Sequence, residues 1–383
     1  MIYFKKPIYV TRPLLPDLTK YVVKLEEIWN EKYLTNNGNQ HKLLEKELKR
    51  HLNVPYLSLF NNGTIALMIA VQSLRLAGEV ITTPFTFPAT PHVLAWNGIK
   101  PVFCDIDITT LNINADIIES MITPQTTAIL GVHVFGNPCD VHKIQEIANR
   151  YGLRVIYDAA HAFGMKINNR GIGTYGDISM FSFHATKLFH TAEGGALAYN
   201  DVYLKDRIDY LKNFGIKNEE EVVMPGINGK MNELQAALGL SVLEYVEDEI
   251  SKRTVLFDTY KRLLSEVEGI TICSNMSCYP DEIVHSYQYL VIKIDKELFG
   301  CTRDYVYAQL RNNNVFTRKY FYPLCSDYPC YKHIITASAS NLPIANTIVK
   351  EVLCLPFYGD LTINDVEVIC NMIRSYRNSG FSK

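Results

Sequence analysis

No apolar run in this 383-residue chain reaches the ~18 residues that a membrane-crossing helix needs. The opening Met1-Ile-Tyr-Phe-Lys-Lys-Pro lacks the charged-then-apolar order of a secretory leader. Neither sign of charge dominates, since 38 Lys and Arg stand against 40 Asp and Glu for a formal net charge of -2. Without a basic patch, nucleic acid and membrane surfaces are excluded as expected partners. The nine cysteines contain no CxxC pair, and no metal site is read from them. The expectation is a cytoplasmic protein acting on small molecules, with its cysteines used as small buried hydrophobes.

What is present is enough chain, 48% hydrophobic, for one large domain and a smaller one. From Tyr56 to Tyr199, short β-rich runs alternate with helical stretches, which predicts an α/β fold with a mostly parallel sheet. The strand candidates are Tyr56–Phe60, Val80–Thr83, Lys100–Cys104, Thr127–Val132, Arg154–Asp158, Ile178–Phe183 and Gly195–Tyr199. Helices are expected at Thr64–Leu76, Pro88–Asn97, Asp140–Tyr151 and Val202–Asn213, preceded by amphipathic helices at Leu18–Asn30 and Gln40–Leu52. Apolar residues at helical spacing from Asn232 to about Val267 predict one long helix joining two domains. The division expected is a large α/β domain over residues 1–245 and a small α+β domain over residues 246–383.

Ligand sites in open α/β sheets gather outside the carboxyl ends of the strands, and four such ends carry chemistry here. Asn61-Asn-Gly-Thr64 places a glycine and a helix start after a strand, an arrangement whose free N–H groups suit a phosphate. The plainer alternative is a turn capped by Thr64. Val155-Ile-Tyr-Asp158 ends a buried strand in an acid, which needs a cationic partner such as a protonated pyridine nitrogen, or else serves as a helix cap. His161 follows, either toward a cofactor or satisfying backbone groups. Phe181-Ser-Phe-His-Ala-Thr-Lys187 delivers Ser182 and Lys187 to the same edge. Burial there would lower the lysine's pKa and free its amine for Schiff-base chemistry, whereas a lone lysine is more often at the surface. Thr82 to Thr90 brings Phe85 and Phe87 past a fourth strand end, with core packing preferred for Phe85.

In this order and spacing, Asn62-Gly-Thr64, Thr86-Phe87, Asp158-Ala-Ala-His161, Ser182-Phe-His-Ala-Thr-Lys187, Glu193-Gly-Gly195 and Gly226-Ile-Asn-Gly-Lys-Met-Asn-Glu233 resemble the DegT/DnrJ/EryC1/StrS sugar aminotransferases. The resemblance runs over nearly the whole chain. It implies a fold-type I pyridoxal 5'-phosphate (PLP)-dependent transferase with a seven-stranded sheet. It also implies that Lys187 is the Schiff-base lysine, that Asp158 pairs with the pyridine nitrogen, and that Gly63, Thr64 and Ser182 bind the phosphate. Phe87 would stack on the ring, and Asn228 would reach the phosphate of a neighbouring subunit, making a homodimer. The chain has His161 where many relatives have Gln, and Gly229-Lys230 where Tyr/Phe-Arg is usual.

Within the family, the run Phe183–Thr191 and Thr11-Arg-Pro-Leu-Leu-Pro16 look most like enzymes that aminate C4 of dTDP-4-keto-6-deoxyglucose from glutamate. Their product, dTDP-4-amino-4,6-dideoxyglucose, feeds O-antigen and lipopolysaccharide synthesis. Amination at C3 of a 3-keto isomer is the alternative, and a regulatory or binding protein retaining the fold is the non-enzymatic one. The sugar nucleotide is expected to meet Tyr33, Asn36, Asn37, His184, Arg318 and Tyr320, with Lys319 adding positive charge.

Overall fold

The computed structural model describes residues 4–276, 279 and 282–377, so Cys278 lies outside the described residues. Seven strands form its main sheet: β1 Tyr56–Phe60, β2 Glu79–Thr82, β3 Lys100–Phe103, β4 Thr126–Val132, β5 Arg154–Asp158, β6 Ile178–Ser182 and β7 Gly195–Tyr199. Their order is β1-β7-β6-β5-β4-β2-β3. All neighbours are parallel except β7, which runs antiparallel to both β1 and β6. The expected α/β fold is therefore the observed one, and the seven strand readings differ from it only at their ends.

Helices cover both faces, which is why the strands read as continuous apolar runs. Before the sheet come α1 Leu18–Glu31 and α2 Asn39–Leu52. Within and after it come α3 Gly63–Ser73, α4 Ala89–Trp96, α5 Val141–Tyr151, α6 Tyr203–Leu211, α7 Glu233–Leu243 and α8 Val246–Leu264. Alternate strand residues divide between the faces. Leu57, Ile81, Ile129, Val155 and Phe181 pack with Leu44 and Leu48 of α2, Ile144 of α5 and Leu240 of α7. Phe60, Val80, Leu130, Ile156 and Met180 pack with Leu67 of α3, Leu94 of α4 and Ile208 of α6. Each such side chain contributes about 1.5–3 kcal/mol by leaving water.

The single long helix expected from Asn232 to Val267 is two helices, α7 and α8. Tyr245, at φ -107° and ψ -3°, interrupts the ladder, and Glu247, Asp248 and Glu249 fill the first turn of α8. Carboxylates favour that position because the helix start presents free N–H groups. Apolar spacing alone does not register such a restart.

A second sheet, β8 Ile270–Ile272, β9 Leu290–Ile294 and β10 Val352–Leu355, is antiparallel in the order β8-β9-β10. It shares a core with Leu256 and Tyr260 of α8, with Val306 and Leu310 of α9 (Arg303–Asn312), and with Ile369 of α10 (Ile363–Ser375). A third apolar cluster joins the two parts: Phe85, Phe103 and Phe135 from the main sheet's edge meet Tyr289, Val291 and Phe321. Phe85 is thus a core residue. The N-terminal segment spans both parts. Ile8–Tyr9 pairs in parallel with Val315–Phe316, Val10 O accepts from Phe357 N, and Leu14 O lies 2.8 Å from His190 Nε2. Seven of the eight described cysteines are buried, where desolvation pushes thiols such as Cys273 up to about 11. No helix among the described residues is long and apolar enough to cross a membrane.

Candidate active site

The carboxyl ends of β1, β2, β5 and β6 and the start of antiparallel β7 lie along one edge of the sheet. Chain turns there hold the residues expected to bind the cofactor, apart from Asn228. After β1, Asn62 rather than Thr64 caps α3, its Oδ1 accepting from Ile65 N at 2.8 Å. The N–H groups of Gly63 and Thr64 make no hydrogen bond among the described residues. They leave donors and the positive end of the helix open to an anion. The turn is pressed onto its neighbours: a Cβ on Gly63 would sit 3.1 Å from Ser182 Cβ. One on Gly195 would sit 2.7 Å from both Asn62 C and Gly63 N.

Gly195→Ala is accordingly expected to displace the Asn62–Gly63 peptide. Overpacking of this kind costs about 1–3 kcal/mol, so urea denaturation should register the loss and equilibrium titration a weaker grip on inorganic phosphate or phosphorylated cofactor. Wild-type values for both would refute the close contact.

At the end of β5, Asp158 is buried and makes no ion pair among the described residues. Its Oδ2 accepts from Thr90 Oγ1 at 2.9 Å and its Oδ1 from Ala160 N at 3.0 Å, and Thr90 Oγ1 lies 2.8 Å from Thr86 Oγ1. Burial holds its carboxyl above the usual range, against the opposing pull of Ala160 N–H, Thr90 and Lys187. The buried ring of His161 accepts from Phe135 N at Nδ1 (3.2 Å), which leaves its proton on Nε2. Desolvation keeps it neutral.

Lys187, past the end of β6, is half-buried, and its ammonium makes no ion pair or hydrogen bond among the described residues. Desolvation lowers it to about 8, with Asp158 opposing. It is therefore a largely unspent amine, able to be nucleophile or base near neutral pH. Its Nζ lies 5.8 Å from the centroid of the Tyr289 ring. Phe87, 56% exposed after β2, leaves a ring uncovered on this edge.

The residues expected to hold a sugar nucleotide are less gathered. His184 is exposed, 3.6 Å from Glu193 and hydrogen-bonded to Thr186. Tyr320 packs edge-on against Tyr289, at 5.6 Å between centroids. Tyr33, Asn36 and Asn37 form an exposed turn with two left-handed asparagines, in which Tyr33 Oη donates to Asn36 O. That turn is docked on α7, where Glu233 N donates to Leu34 O, and no hydrogen bond joins it to Lys187 or Asp158 among the described residues. Arg318 is exposed, its backbone paired with Cys354. Lys319 departs from expectation: its charge is taken up by Asp304 at 2.6 Å and it covers Tyr307. Asn228 is exposed beside Gly229, whose O accepts from Asn61 N.

Sequence reading missed Thr90, Gln288 and Tyr289. Thr90 closes the stretch that drew attention to Phe87, and it lies in the first turn of α4, four residues after the Thr86 it meets. Gln288 and Tyr289 are distant in sequence and only folding brings them to Lys187.

Open N–H donors at Gly63 and Thr64, a buried carboxylate without a countercharge and an unpaired amine fit pyridoxal phosphate, which is anionic at one end and cationic at its ring nitrogen. Comparison with known proteins agrees. The sequence model of the DegT/DnrJ/EryC1/StrS aminotransferase family matches residues 19–374. The dTDP-4-amino-4,6-dideoxy-D-glucose transaminase of Escherichia coli is 48% identical over 373 residues, covering 96% of this chain and 98% of that protein. Its counterpart from Shigella dysenteriae is 44% identical, covering 97% and 100%. The crystal structure of DesI in the presence of its TDP-sugar product superposes with a TM-score of 0.92 at 32% identity, covering 99% of this chain and 95% of that one. PseC of Helicobacter pylori, an aminotransferase involved in the biosynthesis of pseudoaminic acid, gives 0.88 at 27% identity, covering 98% and 100%.

Proposed function

Since the chain belongs to the DegT/DnrJ/EryC1/StrS aminotransferase family, whose cofactor is pyridoxal phosphate, we propose that it transfers an amino group from glutamate to C4 of dTDP-4-keto-6-deoxyglucose. The product is dTDP-4-amino-4,6-dideoxyglucose, destined for cell-surface polysaccharide. The observation that carries the reading is the amine of Lys187, unpaired and depressed to about 8 at the same edge as buried Asp158. The substrate follows from near-full-length likeness to two transaminases named for that product.

Pyridoxal phosphate, when bound, supplies an electron sink for cleavage of a Cα–H bond and carries the amino group between the two halves of the reaction. Asp158 would hold the proton on the ring nitrogen, and Thr90 with Ala160 N–H would hold Asp158. Gly63 N, Thr64 N and Ser182 Oγ would take the phosphate, with Phe87 over the ring and the His161 ring beside it. Lys187, as free amine, would accept the proton leaving the donor's Cα and return it to C4′ of the cofactor, and in the second half would run the same transfer in reverse to protonate the aminated sugar carbon. Tyr33, Asn36, Asn37, His184, Arg318 and Tyr320 would meet the sugar nucleotide.

The test is incubation of the yellow, cofactor-loaded protein with glutamate and keto-sugar nucleotides, with mass analysis and NMR to locate the new amine. Nitrogen at C4 supports the proposal. Nitrogen at C3 corrects the substrate, and a colourless protein that takes up no cofactor overturns the enzyme.

The site would be completed across a homodimer by Asn228 of the neighbouring copy. Mixing a Lys187→Ala protein with an Asn228→Ala protein should then restore activity, because each mixed dimer keeps one site with both residues intact. Failure of the mixture to exceed the two parents, with mixed dimers shown to form, would exclude sharing.

A further inference from the structure

Gln288 is a buried amide in the second part of the fold, and both ends of its side chain are bonded to the loop that carries Lys187. Its Oε1 accepts from Leu188 N at 2.8 Å and its Nε2 donates to Thr186 O at 3.1 Å. These are the two peptide groups that flank Lys187. A buried amide is costly unless bonded, and one bonded at both ends is fixed in place. The next residue, Tyr289, sets its ring 5.8 Å from Lys187 Nζ and at 88° to the ring of His161, 4.9 Å between centroids. Lys187 is thus faced by Asp158 and His161 from the end of β5 and by Tyr289 from the start of β9.

What holds Gln288 is itself anchored. Arg253 of α8 is buried and donates from Nη1 to Tyr287 O (3.1 Å), with Gln288 O at 3.5 Å. Its Nε donates to Glu249 Oε1 at 2.6 Å, an oxygen that also accepts from Gly359 N at 2.8 Å. Tyr287 has a left-handed backbone, φ 48°, which is strained for a bulky residue and persists only where its surroundings enforce it. Its carbonyl accepts from the Arg253 guanidinium and its ring packs against Phe257 at 5.7 Å between centroids. Glu249, Arg253 and the Tyr287–Gln288 backbone thus form a chain of hydrogen bonds that ends at the loop around Lys187.

We infer that Gln288 is the positioning residue for Lys187, fixing the two peptide groups beside it and transmitting the placement of the second part of the fold, through Glu249 and Arg253, to the reacting amine. This rests on Lys187 being that amine, as proposed above. Gln288 does not touch the reacting atoms, and its effect is on where the amine stands and what surrounds it.

Two variants test it. Gln288→Met keeps the length of the side chain and removes both hydrogen bonds, while Gln288→Glu keeps the acceptor for Leu188 N and opposes a carboxylate to Thr186 O. In the cofactor-free protein, labelling of Lys187 by trinitrobenzenesulfonate, read by peptide mass mapping, should be half-maximal near pH 8 in the wild type. In Gln288→Met it should shift toward the ~10.4 of a free lysine. Misplacement of a reacting group by about 1 Å costs roughly 100-fold, so kcat of the loaded enzyme should fall by about 10- to 100-fold with KM for the sugar nucleotide little changed. Gln288→Glu should lie between the two. A folded Gln288→Met with wild-type labelling and kcat overturns the inference, and if that variant does not fold, wild-type behaviour of Gln288→Glu does so. Wild-type Lys187 labelling no faster than the surface lysines would instead overturn the parent reading.

Discussion

In a Lys187→Ala variant, amination of the keto-sugar nucleotide falls below about one ten-thousandth of the wild-type rate, because one substitution removes both the nucleophile and the proton carrier. Stability moves in another way. The folded state lowers the Lys187 ammonium from 10.5 to about 8, so below pH 8 the folded and unfolded chains hold the proton equally and the folded one bears the cost of a desolvated charge. Between pH 8 and 10.5 the unfolded chain holds more proton, and stability rises with pH. Cofactor-free wild type should therefore gain resistance to urea between pH 7.5 and 9.5, and Lys187→Ala should lack that gain. Sustained multiple turnover by the variant would remove Lys187 from the mechanism.

Asp158→Asn should lower kcat by about 100- to 1,000-fold, the usual loss when a fixed electrostatic partner of the reacting system is removed. The same change should stabilise the cofactor-free protein at neutral pH. Burial raises the Asp158 carboxyl above 3.8, so the folded chain binds more proton than the unfolded one as pH climbs from 3.8 to the raised value, and stability is lost over that interval. An uncharged amide escapes the loss. Melting of the cofactor-free variant should exceed that of wild type at pH 7.5, with the difference closing toward pH 4. Added pyridoxal phosphate should reverse the order, since it rewards only the chain that can pair with its ring nitrogen. A variant that melts lower than wild type without cofactor would show that Asp158 is held by a countercharge.

The sheet was legible because its strands are short, mostly apolar runs that alternate with helical stretches and are buried on both faces. Asp158 and Lys187 were legible for the opposite reason, as ionisable residues set where such a sheet exposes its ends. The restart between Leu243 and Val246 was hidden, since both helices carry apolar residues at the same spacing and the change lies in one backbone angle at Tyr245. The bonds of Gln288 were hidden too, because its partners, Thr186 and Leu188, are about a hundred residues away. Lys319 was misjudged because a basic residue beside a tyrosine-rich loop gives no sign of the Asp304 that neutralises it.

The N-terminal segment has a consequence for how the chain comes to be active. Ile8–Tyr9 waits for Val315–Phe316 and Val10 for Phe357, while Leu14 meets His190, three residues past the reacting lysine. Residues 8–10 are thus satisfied by partners more than 300 positions later in the sequence, and closing so long a loop is slow to be repaid. On the ribosome the large sheet can form well before its first segment is tied down. The Leu14–His190 contact beside Lys187 thus belongs to a segment that is fully tied down only once Val315, Phe316 and Phe357 are in place.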